Sequence, residues 1–270
     1  MVTKEYDIQS KGIVVACDVN THEELQALVK NTISTGVSGY KLGYLSLKRG
    51  IEKEVNVILE QAYLAKRDVE IIYDHQKAGS DVPDTADKFA KQMRTAGVNT
   101  VILFAHSGPA VVYSFIKELQ KAEVDVMFGA EMTHKFFYSD EGGWIDRERL
   151  DYAYGIAAGM GVTKFVVPGT KPNSVLRIRN LLEQPSKEYL ESLNALMKEV
   201  SKGEWLYKPS VSPVTLYAPG FVAQGGKISD AGKVAGKRWR AIVGRAIYEQ
   251  TGIDGQSNAA REYVESIRKE

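Results

Sequence analysis

Short runs rich in β-branched and aromatic residues alternate with longer helical patterns along the whole chain, and this alternation constrains the fold most. We count eight such units in the 270 residues. Strands that alternate with helices favour a parallel sheet, because a helix returns the chain to the start of the next strand. Eight parallel strands can close that sheet on itself. We therefore predict an α/β fold of the (β/α)8 TIM-barrel type, with a single domain over residues 1–270.

The predicted strands share apolar β-formers and end in polar or turn-forming residues. They cover residues 13–19, 38–44, 69–75, 100–106, 124–132, 164–169, 214–220 and 239–245. Amphipathic helices are predicted between them, among others over residues 23–33, 85–96, 110–118 and 259–267. The main alternative is a doubly wound open sheet. That fold should have a glycine-rich turn after the first strand, and Cys17-Asp18-Val19-Asn20-Thr21 contains no glycine.

Two segments are longer than ordinary barrel loops. Residues 133–146 follow the fifth strand and are interpreted as a lid or an interface element. Residues 184–213 hold a helical pattern over 187–200, which predicts an extra helix between the sixth and seventh units. We expect both to be insertions in the barrel and neither to be a second domain.

Composition excludes several classes of function. A formal net charge of +1 gives no long-range attraction for nucleic acid or anionic lipid. The single Cys17 cannot form an intramolecular disulfide and indicates a reducing compartment. No apolar stretch approaches membrane-spanning length, and the N-terminus lacks the apolar core of a signal peptide. We expect a cytoplasmic protein that contacts neither membrane nor nucleic acid.

Charged side chains are predicted where several strands end, which in a closed barrel brings them to one rim. Lys41 lies in an otherwise apolar strand, so it needs carboxylate neighbours to stay charged. Asp18, Asp74 and Asp81 can supply them, and Lys77 lies between the last two. The alternative for Lys41 is a side chain that reaches out of the strand end into water.

The loops after the seventh and eighth strands predict an anion site. Residues 219–226 contain three glycines, which let backbone N–H groups approach an anion, and Gly244-Arg245 ends the eighth strand. These two loops are the usual phosphate-binding loops of this type of barrel, and arginine matches the geometry of phosphate oxygens. The four histidines show no metal-ligand spacing, and no metal is predicted.

Taken together, these motifs resemble the orotidine 5'-monophosphate decarboxylase family over residues 13–267. The resemblance rests on Asp18, Lys41, the Asp/Lys/Asp cluster that ends in Asp81-Val82-Pro83-Asp84-Thr85, and Glu131-Met132-Thr133-His134. It also rests on Val167-Pro168-Gly169-Thr170-Lys171-Pro172, on residues 218–226 and on residues 242–248. The family is one of (β/α)8-barrel dimers.

The resemblance implies a role for each matching residue. Asp18 and Lys41 would bind ribose hydroxyls, Thr133 the pyrimidine, and Gln224, Gly244 and Arg245 the 5'-phosphate, with Pro219 and Gly225 also in the substrate site. Asp74 would press against the substrate carboxylate, while Lys77 stabilises the carbanion and protonates it. Asp81, Val82 and Thr85 would reach into the site of a neighbouring subunit, which implies a homodimer. No metal or organic cofactor is implied.

The spacing of the Asp/Lys/Asp cluster departs from the family pattern Asp-x-Lys-x-x-Asp. Two residues separate Asp74 from Lys77 and three separate Lys77 from Asp81, so each interval holds one extra residue, as in an archaeal-like variant with altered spacing. Side chains alternate along a strand, so Lys77 reaches the face of Asp74 only if the chain bulges. We favour that bulge. The other register would place Gln76 where the family has its lysine.

Two alternative functions remain open. One is a magnesium-dependent sugar-phosphate lyase or decarboxylase of the related barrel families, although those relatives carry an acidic residue at the position of Lys41. The other is a nucleotide-binding barrel that has lost catalysis through the altered spacing.

Overall fold

Eight parallel strands close into a barrel in chain order, and β1 pairs with β8 to complete it. The structure is a computed structural model that describes residues 11–75, 81–220 and 228–269. The strands are β1 (Lys11–Ala16), β2 (Gly39–Leu42), β3 (Glu70–Asp74), β4 (Thr100–Phe104), β5 (Asp125–Gly129), β6 (Lys164–Val166), β7 (Thr215–Pro219) and β8 (Trp239–Val243). The predicted (β/α)8 barrel is therefore confirmed, and the open sheet is wrong.

Helices follow the strands and cover the outside of the barrel. They are α1 (His22–Thr32), α2 (Leu45–Arg49), α3 (Ile51–Leu64), α4 (Ala86–Thr95), α5 (Pro109–Lys121), α6 (Arg147–Gly159), α7 (Pro172–Glu183), α8 (Lys187–Val200), α9 (Ile228–Ala235), α10 (Arg245–Tyr248) and α11 (Gly252–Lys269). In the described part of the chain, none of these helices is both long and apolar enough to cross a membrane.

The two long segments differ in structure. Residues 184–213 contain α8, whose bounds match the predicted helix and whose Leu193 and Met197 are fully buried. Residues 133–146 contain only one short 3-10 turn, Ser139–Glu141, yet Tyr138 is fully buried within this segment. Both segments thus contribute side chains to the buried core.

The strands end earlier than the sequence predicts, by two or three residues in most cases. The fifth is the clearest example, because β5 ends at Gly129 whereas the apolar run continues to Met132. Ala130 and Glu131 remain buried beyond the last ladder pair. Residues at the mouth of the barrel are thus buried and extend the apolar run from which the strand is predicted, although their backbone is no longer paired in the sheet.

A buried carboxylate joins five strands at the N-terminal end of the barrel. Glu70 accepts hydrogen bonds from Thr100 at 2.8 Å, Lys164 at 2.5 Å, Tyr217 at 3.0 Å and Arg240 at 2.9 Å. Burial alone would raise the pKa of Glu70, but the attraction of Lys164 and Arg240 outweighs it and the pKa falls below its ordinary value. The carboxylate is therefore charged in the folded protein.

Replacing the Glu70 carboxylate should destabilise the folded protein. We expect Glu70→Ala to lower the free energy of unfolding by about 3–5 kcal/mol, because it takes the carboxylate away from the buried Arg240 and leaves Lys164 with Asp125 alone. Urea denaturation at neutral pH measures the change. Glu204→Ala is the matched control, since Glu204 pairs with Lys117 at 2.7 Å on the surface, and its cost should stay below about 1 kcal/mol.

The difference in the free energy of unfolding between the parent protein and Glu70→Ala should depend on pH in a defined direction. Because the pKa of Glu70 is depressed in the fold, its contribution is complete above its ordinary value of 4.5 and is lost as the pH falls through the lower folded value. The gap in stability between the parent protein and Glu70→Ala should thus narrow in acid. A gap that widened would contradict the assignment of Glu70 as a charged group.

Candidate active site

A cavity of about 270 Å³ opens at the carboxyl ends of the strands. Its floor is apolar and belongs to the side chains that fill the barrel, whereas its walls carry the charged groups. The lining residues are Ala16, Asp18, Lys41, Asp74, Ile102, Phe104, Glu131, Met132, Thr133, Val166, Pro219, Gly220, Ile242, Gly244, Arg245 and Tyr248. Charged groups on a low-dielectric floor interact more strongly than they would in water.

Lys41 is buried between two carboxylates. Its side chain is 7% exposed, and its Nζ lies 3.3 Å from Asp74 and 3.6 Å from Asp18. Burial alone would lower the pKa of Lys41, but attraction to Asp74 and then Asp18 outweighs it, so the pKa rises above its ordinary value. Lys41 therefore stays charged although it is buried, and the alternative of Lys41 reaching out into water is wrong.

Side chains alternate along β3 up to its end. Asp74 points into the cavity, while Tyr73 and His75 point outward and form a 2.5 Å hydrogen bond through the Tyr73 hydroxyl and His75 Nδ1. The His75 ring also contacts Phe89 of α4, with 6.4 Å between ring centroids. The register of this strand is thus fixed through residue 75. Lys77 and Gln76 both lie outside the described residues, so the choice between them stays a prediction.

A second buried carboxylate holds the cavity wall that follows β5. Glu131 accepts a hydrogen bond from the Tyr138 hydroxyl at Oε2 and one from the Arg177 guanidinium at Oε1. The Thr170 hydroxyl donates to the Thr133 carbonyl at 3.1 Å. Burial first, and then the Glu131 carboxylate, raise the pKa of Tyr138, so its hydroxyl keeps its proton and remains a donor. Thr133 is therefore presented by a fixed backbone.

The opposite side of the cavity is formed by the ends of β7 and β8. Pro219, Gly220, Gly244 and Arg245 all line it, and the Arg245 side chain is exposed to solvent at the start of α10. Gly220 adopts a φ of +103°, a left-handed conformation that strongly favours glycine. An exposed guanidinium beside a glycine turn suits an incoming anion. The other two residues predicted here, Gln224 and Gly225, lie outside the described residues.

Three predicted site residues do not reach this cavity. Asp81, Val82 and Thr85 precede α4, and the Val82 side chain is 57% exposed. Asp81 accepts a hydrogen bond from the Val82 backbone N–H at 2.8 Å, and the Thr85 hydroxyl donates to the Val82 carbonyl at 2.8 Å. Their assignment to the site of a neighbouring subunit stays a prediction.

Several lining residues were not predicted as part of the site. Ile102 and Phe104 lie two positions apart on β4, and that alternation was an available signal for inward-facing side chains. Tyr248 lies three residues after Arg245 at the end of the same motif. Glu131 belongs to the motif Glu131-Met132-Thr133-His134, but no sequence pattern reveals that its partner is Arg177, 46 positions away.

The described residues offer no histidine to the lining of the cavity and no grouping of side chains that could bind a metal ion. His106 is exposed in a 3-10 turn after β4, with its ring against Phe104 and Phe137, and it does not line the cavity. Within residues 11–75, 81–220 and 228–269, no three His, Cys, Asp or Glu side chains are grouped as a metal site would require.

The buried ion pairs of Lys41 should protect its amine from chemical modification. We expect acetic anhydride at pH 8 to modify Lys41 at least about tenfold more slowly than Lys48, because only the neutral amine reacts and the pKa of Lys41 is raised. Lys48 is exposed in the adjoining helix α2 and is the internal control. Mass spectrometry of peptides from timed samples gives both rates. Equal rates in the native protein would contradict the buried position, whereas equal rates in urea are expected.

Known proteins resemble this chain over almost its whole length, although no protein-family model matches it. Orotidine 5'-phosphate decarboxylase from Methanosarcina mazei is 28% identical over 259 residues, which cover 96% of both chains. The enzyme of the same name from Methanocaldococcus jannaschii is 25% identical over 260 residues, which cover 95% of this chain and 99% of the relative.

Solved structures agree with the sequence comparison. Orotidine 5'-phosphate decarboxylase from Pyrococcus horikoshii is 25% identical with a TM-score of 0.67, and the match covers 95% of this chain and 99% of that one. The enzyme from Methanocaldococcus jannaschii in complex with the inhibitor BMP shares the fold, with 23% identity, a TM-score of 0.69 and coverage of 95% and 98%. Over almost its whole length the chain is thus similar in sequence to orotidine 5'-phosphate decarboxylases, and it shares their barrel fold.

Proposed function

We propose that the protein is a carboxy-lyase that converts orotidine 5'-monophosphate to UMP and carbon dioxide in de novo pyrimidine biosynthesis. The observation that carries this proposal is the array of Asp18, Lys41 and Asp74 at the mouth of the barrel, in which Lys41 and Asp74 are buried. The curated relatives bear the name of this activity. A lysine at this position also argues against the magnesium-dependent relatives, which carry an acidic residue there.

The array is suited to an electrostatic mechanism. As the bond between C6 and the carboxylate breaks, its electron pair stays on C6, and the ammonium of Lys77 stabilises that charge and then donates a proton to it. Asp74 faces the departing carboxylate, and the hydrogen bond from Lys41 at 3.3 Å holds the Asp74 side chain in its orientation. Charges fixed before the substrate arrives need no reorganisation during the reaction, which makes this form of stabilisation effective. The mechanism requires no metal or organic cofactor.

The substrate is held at both ends of the cavity. Gln224, Gly244 and Arg245 would bind the 5'-phosphate, far from the bond that breaks, with Pro219 and Gly225 also in the substrate site. Binding energy from such a remote group can be used to hold the reacting part of the substrate against Asp74. Thr133 would hydrogen-bond the pyrimidine from the wall that Glu131 fixes.

Alanine variants at two neighbouring positions identify the proton donor. We expect Lys77→Ala to lower kcat by at least about 10³-fold, because it removes both the proton and the positive charge near C6. Gln76→Ala is the matched control and should retain most of the activity. Loss of substrate ultraviolet absorbance measures turnover. If Gln76→Ala were the inactive variant and Lys77→Ala the active one, the bulged register would be wrong.

The same assay separates the alternative functions. Turnover of orotidine 5'-monophosphate should persist in EDTA. An EDTA-sensitive reaction with a pentulose or hexulose phosphate, and none with this nucleotide, would favour the metal-dependent lyase. Tight UMP binding without turnover in the parent protein would indicate a barrel that has lost catalysis.

We also propose a homodimer whose two active sites each take residues from both subunits. Large apolar side chains are exposed in the loops after β2, β3 and β5, at the same end of the barrel as the cavity. They are Tyr44, Leu47, Val82, Phe136 and Trp144, which are 48% to 97% exposed. Exposed large apolar side chains beside the cavity support an interface there, although others, such as Tyr63 and Leu64 of α3, are exposed elsewhere. The single Cys17 is buried and free, which is compatible with the cytoplasmic location that we propose.

Mixing two inactive variants tests the shared site. If Lys77 acts in its own subunit and Asp81 in the partner's, a dimer of one Lys77→Ala and one Asp81→Ala subunit has one intact site. Random mixing should then restore about one quarter of the parent activity. Mass spectrometry should show that heterodimers have formed, and heterodimers without activity would contradict the shared site. Sedimentation of the protein as a monomer would contradict the dimer itself.

A further inference from the structure

The turn between β1 and α1 carries Asp18, and hydrogen bonds hold its N–H groups. The N–H of Cys17 donates to the Lys41 carbonyl at 2.8 Å, which extends the pairing of β1 with β2 by one residue. The N–H of Asn20 donates to the Glu24 carboxylate at 2.8 Å. Glu24 belongs to the first turn of α1, so the helix and the strand both fix the turn.

Arg49 holds the carbonyl groups of the same turn. From the last residue of α2, its Nη1 donates to the carbonyls of Val19 and Asn20, both at 3.0 Å. Its Nη2 donates to Glu54 of α3 at 2.9 Å. The guanidinium of Arg49 therefore connects the residues directly after Asp18 to helix α3.

Glu54 is an anchor inside the protein. Its side chain is fully buried, and its second oxygen lies 2.9 Å from His22 Nδ1. A buried carboxylate requires close hydrogen-bonding partners, so Glu54 holds the Arg49 guanidinium in place. Arg49 is itself only 11% exposed in its side chain and does not line the cavity.

Asp18 depends on this support because its own side chain is weakly held. The carboxylate is 38% exposed, and its contact with Lys41 is 3.6 Å, longer than a good hydrogen bond. Its direction is thus set mainly by the backbone of the turn. Lysine at position 49 could keep the charge near Glu54, but it lacks the planar group that serves two carbonyls and a carboxylate together.

We propose that Arg49 is a positioning residue that aims the Asp18 carboxylate at the ribose hydroxyls of the nucleotide. The inference rests on the proposed function, because it needs a ribose beside Asp18. Arg49 acts through the backbone of residues 19 and 20 and does not touch the ligand.

The test measures ribose recognition separately from overall binding. Calorimetry gives the affinities of UMP, 2'-deoxy-UMP, 3'-deoxy-UMP and uridine for the parent protein and for Arg49→Lys. We expect the parent to prefer UMP to at least one deoxy nucleotide by about tenfold or more, as a hydroxyl bonded to a carboxylate should give. In Arg49→Lys that preference should fall several-fold. The preference for UMP over uridine, which reports phosphate binding, should not change.

Arg67→Lys is the matched control. Arg67 also donates to a backbone carbonyl, that of Val37 at 3.4 Å, but this carbonyl precedes β2 at the opposite end of the barrel. A general loss of stability would weaken all four ligands alike, whereas a positioning role changes only the ribose ratios. Melting temperatures of both variants show whether they are folded. If Arg49→Lys does not fold, Glu54→Gln loosens the same anchor and should shift the ratios in the same direction.

A double-variant cycle completes the test. In an Asp18→Ala background, Arg49→Lys should have no further effect on ribose preference, because the group that it positions is gone. Unchanged ratios in Arg49→Lys and Glu54→Gln, with normal UMP binding by the parent, would overturn this inference alone. No UMP binding by the parent would overturn the proposed function and this inference with it.

Discussion

The candidate site depends on one buried lysine between two carboxylates. An ammonium without partners at the position of Lys41 would lose its proton or leave the barrel. Two carboxylates there without a cation between them would repel each other. With Asp74 at 3.3 Å and Asp18 at 3.6 Å, the ammonium of Lys41 attracts both carboxylates and is stabilised by them above an apolar floor. The floor needs the closed barrel, because its side chains come from strands on opposite sides of the sheet. Fold and electrostatics are therefore inseparable here.

Buried carboxylates recur wherever the barrel must hold a loop or a strand in place. Glu70 joins strands at the N-terminal end, Glu131 fixes the wall after β5, and Glu54 anchors the turn that carries Asp18 through Arg49. In each case the carboxylate is paired with arginine, whose planar group can serve several acceptors at once. The charged wall of the cavity is thus supported by a second set of ion pairs behind it.

Sequence predicts the parts of this architecture that repeat or that occupy unusual positions. The alternation of strands and helices was enough for the barrel, and a lysine inside an apolar strand was enough to require carboxylates beside Lys41. The supporting contacts were out of reach, since Arg49 and Val19 are 30 positions apart and nothing local links them. Strand ends were extended too far because residues such as Glu131 stay buried after the sheet has ended.

The carboxylate of Glu70 has a consequence for how the chain assembles. Its partners lie on β4, β6, β7 and β8, so a fragment that stops before β6 would contain the anion without either of its cations. Such a half-built sheet would carry an uncompensated charge in apolar surroundings, which is costly. The unpaired Glu70 carboxylate should therefore raise the free energy of partly folded states. The sheet should become stable only when β6 and β8 have joined it.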